Sequence, residues 1–160
     1  MPPLTPNELT FSIAFGGATR GLIVGLLCTL AIIPFVSMHI HHLGIILYHA
    51  VAASIMLSLL GTITGVWAEK IDHTAFVTNF IVTPLSFLSG TFYSIERLPE
   101  SIQFTAFLNP FFYVIDGFRY GFIGHADSSL TLGGFVTFGI NIVLWLWCHW
   151  MFKSGYNLKA

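Results

Sequence analysis

The sequence predicts an all-α integral membrane protein. The bundle has four transmembrane helices, with two short amphipathic helices, extracellular or re-entrant, between spans three and four. Three observations predict it. Charge is scarce: 160 residues include 6 Lys and Arg and 7 Asp and Glu, or 8% of the chain, where soluble domains carry about 25%. Apolar residues make up 55%, and mean hydropathy is +0.81. The apolar residues also gather into four runs, each about the 20 residues a bilayer crossing needs. A single membrane domain over 1–160 follows. The same counts exclude a soluble globule, a disordered tail and a nucleic-acid binder, since six cations cannot build a basic patch. A formal net charge of −1 says nothing further about partners.

The first run covers 11–36, contains Arg20 and closes near Pro34. Ahead of it, Pro2, Pro3 and Pro6 stand in a stretch with no basic residue. No signal peptide is apparent there, so an internal span would direct insertion. The second run, 44–67, carries no charge, and the third, 74–93, is interrupted only by Asn79 and Pro84. A Pro84 kink is tolerable where neighbours cover the freed backbone groups. The fourth run, 131–152, has Asn141 near its middle. At 1.5 Å per residue these runs reach about 30–39 Å, against a hydrocarbon core of about 30 Å.

Short connections at 41–44 and 68–73 make consecutive helices antiparallel neighbours, and four spans place both termini on one side. That side has Lys70, Lys153 and Lys159, with Arg20 closer to it than to the other. Opposite are Arg97 and Arg119, diluted by Glu96, Glu100, Asp116 and Asp127. The positive-inside bias favours cytoplasmic termini. Trp67, Trp145, Trp147 and Trp150 fall near the same face, as an interfacial aromatic belt would.

Between spans three and four, about 98–124, two Pro-led starts predict short helices. Leu98-Pro99 opens one through about Leu108. Asn109-Pro110 opens another, with Asn109 as N-cap and Pro110 in the first turn. Phe111, Ile115, Phe118 and Phe122 form one apolar stripe. Asp116 and Arg119 lie on the other side, spaced to pair, and Gly124 ends the helix. These helices either lie in the outer interface or dip in and return.

Gly17, Gly21 and Gly25 form a double GxxxG ladder in the first span, and Gly61 and Gly65 form one in the second. Without a Cβ, helices approach closely in lipid. Cys28 and Cys148 read as small buried hydrophobes. Arg20 stands about 14 Å into a helix starting at Phe11, a functional candidate by default. If the helix instead starts near Gly16, behind an interfacial lead-in over 4–15, Arg20 snorkels to the headgroups. His39, His41 and His42 cluster in one connection without the i, i+4 spacing of a helical ligand pair. A polar hairpin explains them more simply than a zinc or copper site. No phosphate-binding loop, nucleophile triad or paired carboxylates appear, so neither an enzyme nor a directly bound cofactor is expected.

Motif order carries a more specific signal. Pro84-Leu-Ser-Phe-Leu-Ser-Gly-Thr-Phe-Tyr-Ser-Ile95, then Leu98-Pro99, Leu108-Asn109-Pro110 and Asp116-Gly-Phe-Arg119-Tyr-Gly121, resembles the C-terminal part of ABC-2 type transporter permeases. Upstream, Leu4-Thr-Pro-Asn-Glu8, Arg20-Gly21-Leu-Ile-Val-Gly25 and Ala68-Glu69-Lys70 fit as well. The resemblance implies a permease subunit of an ATP-driven exporter in the bacterial inner membrane. It would move a drug-like, lipid-linked or glycan substrate. ATP would be hydrolysed by a separate ABC ATP-binding subunit, and a second permease copy would complete the pore as a homodimer. The turn with Glu69, Lys70 and Asp72 would contact the ATPase. Pro99, Asn109, Pro110, Asp116 and Arg119 would belong to the family's external helices. Family members typically have six spans, so the chain would lack two at its N-terminal side. A tetraspan scaffold without transport is the alternative from another class, and a metal-ion permease using the histidine connection is a third.

Overall fold

A computed structural model of the chain describes residues 5–35, 39–68, 70–91 and 100–156. Among these residues all regular structure is helical. Helix α1 spans Pro6–Ile32, five residues earlier than the apolar run suggests. A capping box sets the start: Thr5 N–H donates to Glu8 Oε2 at 2.8 Å, and Glu8 N–H donates back to Thr5 Oγ1 at 3.4 Å. Pro6 fits the first turn, where its missing N–H costs nothing. The helix is continuous from Pro6 through Gly16, so it does not begin near Gly16, and Arg20 is exposed on it.

Helix α2 spans Leu43–Trp67 and buries Ile46, His49, Ala52, Met56, Leu59 and Ile63, one helical stripe. Helix α7 spans Leu130–Ser154. With α1, these are the three helices among the described residues that are long and apolar enough to cross a membrane. Their large apolar side chains mostly face outward, with Phe135, Leu146, Val143 and Leu26 all more than half exposed. Such a surface suits lipid, whose tails are as apolar as leucine.

The third run behaves differently. It forms α3, Ile71–Val77, a π-helical turn, Thr78–Val82, and α4, Thr83–Phe87. At 1.5 Å per residue this path covers about 25 Å, short of a hydrocarbon core of about 30 Å. It is therefore a shorter, interrupted helix than 74–93 implied. The π turn lies just before Pro84, with Thr83 N–H and Oγ1 both donating to Thr78 O. Gly90, at φ 79°, turns the chain away.

Helices α5, Glu100–Phe107, and α6, Pro110–Ile123, make a hairpin. Asn109 caps α6 by accepting from Phe111 N–H at 3.0 Å, and left-handed Gly124 closes it. Helix α6 packs antiparallel against α2. A Cβ on Gly121 would collide with Ile46, and one on Gly117 with the His49 ring. Extending that register puts Phe111 level with Met56, near the midpoint of α2, and both belong to one core cluster with Ala14, Leu59, Val114, Leu144 and Cys148. The hairpin thus dips into the bundle with Asn109 at its inner tip.

The apolar stripe on α6 divides by burial. Phe111 is buried, but Phe118 is exposed, while Asp116, Gly117 and Gly121 are buried. In a lipid-facing bundle, small and hydrogen-bonded residues pack inward while apolar side chains face outward. Cys28 is also exposed rather than buried, because α1 and α2 diverge beyond Gly21: a Cβ on Gly25 would meet nothing within 4 Å.

Candidate functional site

The densest polar chemistry sits where α6 meets the lead-in to α7. Asp116 is 1% exposed, and its carboxylate is fully used. Oδ1 accepts from Arg119 Nη2 at 2.9 Å and from Asp127 N–H at 2.8 Å. Oδ2 accepts from Ser128 N–H at 2.9 Å and from Ser128 Oγ at 2.7 Å. Arg119 Nη2 also reaches Asp127 Oδ2 at 2.7 Å, and His125 Nε2 lies 3.5 Å from Asp127 Oδ1. Desolvation acts to lower the Arg119 pKa. The hydrogen bonds and charges of Asp127 and Asp116 outweigh it and hold the guanidinium above its ordinary range. The two neighbouring carboxylates favour the protonated guanidinium. The sequence anticipated the Asp116–Arg119 pair, but not Asp127 and Ser128. Chemically the cluster is a staple, fastening the 125–129 segment to α6 and fixing where α7 starts.

At the opposite end lies the short turn between α2 and α3. Ala68 N–H donates to Thr64 O at 2.8 Å, ending α2, and His73 N–H donates to Lys70 O at 3.0 Å, opening α3. The Trp67 and His73 rings, 5.6 Å apart, brace the turn. Lys70 and Asp72 project from it, both exposed. Glu69 lies outside the described residues, as does Pro99. Trp67, Trp147 and Trp150 line one cavity at this end with Tyr156, and Trp145 meets Phe11 edge-on at 6.2 Å. The start of α1 and the end of α7 therefore share an end of the bundle with the tryptophans.

The glycine ladders divide. A Cβ on Gly17 would overlap Ser58 Oγ, and one on Gly21 would overlap Ser54 Oγ; Ser58 Oγ also donates to Ile13 O across the interface at 3.0 Å. At Gly25, Gly61 and Gly65 an added Cβ would meet nothing within 4 Å among the described residues. The glycines whose absent side chains let α6 approach α2 are Gly117 and Gly121. Their i, i+4 spacing was visible in the sequence and is the signal that would have found them.

The histidine connection also serves packing. His41 and His42 N–H groups both donate to Gly121 O at 2.9 Å, and the His42 ring stacks on Tyr120 at 5.8 Å. Among the described residues, no three His, Cys, Asp or Glu side chains are grouped as a metal ion would need. Two apolar grooves share Val51, Ile55 and Trp145 on the α1–α2–α7 face, with cavity volumes of about 340 and 410 Å³. Asn141 borders one of them. Its Nδ2 donates to Ala52 O at 3.2 Å and Thr137 O at 3.0 Å, tying α7 to α2.

Comparison with known proteins places these features. The family model described as ABC-2 type transporter matches residues 1–123. The chain is 37% identical over 162 aligned positions to the inner membrane transport permease YadH of Escherichia coli K12, and equally to that of Shigella flexneri. The match covers 99% of this chain and 62% of theirs. Nodulation protein J of Neorhizobium galegae is 29% identical over 73 residues, 46% of this chain and 28% of that protein. No solved structure matches significantly. The chain spans less than two thirds of the YadH relatives, but the family match covers both the glycine contacts and the hairpin: the chain belongs to the ABC-2 type transporter membrane family.

Proposed function

We propose that this chain is the membrane-spanning permease part of an ABC-2 type exporter in a bacterial inner membrane. The observation that carries the proposal is the family match over residues 1–123, together with 37% identity to inner membrane transport permeases along nearly all of the chain. The polar clusters support it in kind, since they staple helices together. ATP hydrolysis is assigned to a separate ABC ATP-binding subunit, which docks on the exposed turn carrying Glu69, Lys70 and Asp72. A second permease copy completes the pathway. The substrate class is drug-like, lipid-linked or glycan, and the apolar grooves on the α1–α2–α7 face favour its lipid-linked members.

In this reading both termini are cytoplasmic, as the Lys distribution and the tryptophan end favour. The α3–α4 path and the re-entrant hairpin together fill a fourth crossing, the helix covering the inner part and the hairpin the outer. Single cysteines test the arrangement. A membrane-impermeant thiol reagent is expected to label Ser101→Cys, but not Ser154→Cys, in intact cells. The opposite pattern would overturn the assigned orientation.

A further inference from the structure

We infer that Asn109 is a positioning residue that couples the α3–α4 helix to the re-entrant hairpin. One side chain serves both elements. Its Oδ1 caps α6 through Phe111 N–H at 3.0 Å, and its Nδ2 donates to Leu85 O in the last turn of α4 at 2.5 Å. Asn109 is 2% exposed, so neither contact is exchanged with water.

This bond is a polar link between the two elements. The carbonyl of Ser86 is taken within its own segment, by Ser89 Oγ and by Thr91 Oγ1. Pro84 O accepts from Leu88 N–H. Leu85 O is the carbonyl of this turn that reaches across to the hairpin. The helix also touches the core through partly buried Val82 and Leu85. The π turn of Thr78–Val82 and all of α4 contain no buried residue. A π turn is a frequent mark of a functional site within a helix. The α3–α4 path thus starts at the exposed Lys70–Asp72 turn, passes a π turn and ends on Asn109. Displacement at the turn reaches the hairpin tip through that amide.

The chemistry separates capping from coupling. Asp and Ser are both good N-caps, so Asn109→Asp and Asn109→Ser keep α6 started. Neither offers the amide donor: aspartate turns an acceptor toward the Leu85 carbonyl, and serine is too short to reach it. A structural residue needed only for the cap would tolerate both.

The functional half of this inference rests on the permease reading, so the experiment has two arms. Spin labels at Phe87→Cys and Phe107→Cys, both exposed positions, report the α4–hairpin distance in full-length chain in lipid nanodiscs. Amide exchange reports the two helices. With Asn109 present, one narrow distance is expected. In Asn109→Asp and Asn109→Ser the distribution broadens, and amides of 86–90 exchange roughly ten- to a hundredfold faster, while those of 113–117 keep their protection. An unchanged distance and unchanged exchange in both variants would overturn the coupling. In the second arm, ATP is added to the chain purified with its ATP-binding subunit. ATP should shift the distance with Asn109 and not with Asn109→Asp, hydrolysis continuing in both. A shift that persists in Asn109→Asp contradicts the coupling. No shift with Asn109 present also contradicts the coupling, whereas folded chain that recovers no ATP-binding subunit contradicts the permease reading instead.

Discussion

Asp116→Asn changes one atom of the buried cluster, and its cost follows from the hydrogen-bond list. Four donors converge on the two carboxylate oxygens: Arg119 Nη2 and Asp127 N–H on one, Ser128 N–H and Oγ on the other. An asparagine keeps one oxygen. If its amide nitrogen replaced Oδ1, it would face the guanidinium and a backbone N–H, neither of which can accept. The favoured orientation therefore puts the nitrogen at Oδ2. There Ser128 Oγ can rotate to accept, but Ser128 N–H is left facing a donor. One backbone bond is lost, one hydroxyl bond reverses, and the bonds to Arg119 and Asp127 N–H lose their charge. A hydrogen bond to a charged group contributes about 1.5–3 kcal/mol, and an unsatisfied buried donor costs about 1–3 kcal/mol. Arg119 retains Asp127 and is 23% exposed, which limits the electrostatic loss. The expected destabilisation is about 2–4 kcal/mol, or about 5–15 °C in Tm for a domain of this size. Thermal unfolding in one detergent, with Ser128→Ala and the double variant completing a cycle, measures it. If Asp116→Asn melts within a degree of the parent chain, the cluster is not the staple described, and the reasoning fails.

Three further outcomes are expected. Gly21→Leu should disrupt the α1–α2 contact and lower folded yield, because its side chain meets Ser54, whereas Gly61→Leu should fold normally as a monomer; equal behaviour of the two would contradict the packing. Gly117→Ala drives a methyl into the His49 ring and should destabilise the hairpin by about 1–3 kcal/mol, read as faster exchange of the α6 amides, with unaltered exchange counting against the close approach. Asp127 and Asp116 hold Arg119 above its ordinary pKa despite its desolvation. The stability such a raised group contributes is present below its unfolded value and fades only as pH rises through the higher folded one. The stability difference between the parent chain and Arg119→Gln should therefore stay constant from neutral to mildly alkaline pH, and a difference that collapses there would point to another partner.

Much of the architecture could be read from local signals, and particular residues show why. Asn109-Pro110 and Gly124 bracket α6 because capping needs only adjacent side chains and a left-handed glycine. The Asp116–Arg119 pair lies within one helical turn. The third run misled because composition reports apolarity, not continuity: the turn at 88–90 ends the helix at Phe87 inside a stretch that is still apolar. The stripe on α6 left its direction open because periodicity gives a face but not which side faces lipid, and Gly117 and Gly121 decide that against Phe118. Asp127 and Ser128 join the cluster only through the tertiary path of the loop. The same limit applies to the ladders, where the spacing at Gly61 and Gly65 equals that at Gly17 and Gly21, but among the described residues it is at the latter pair that a Cβ would collide across the α1–α2 contact.

The central claim is that the chain works as the permease of an ATP-driven exporter, and its partner tests that most directly. The tagged chain, isolated from its own membranes in mild detergent, should carry an ABC ATP-binding subunit in stoichiometric amount. The charge reversal Glu69→Lys with Lys70→Glu should reduce that recovery severalfold while leaving the chain folded. Isolation of folded chain with no ATP-binding subunit, from membranes where that subunit is present, would contradict the claim.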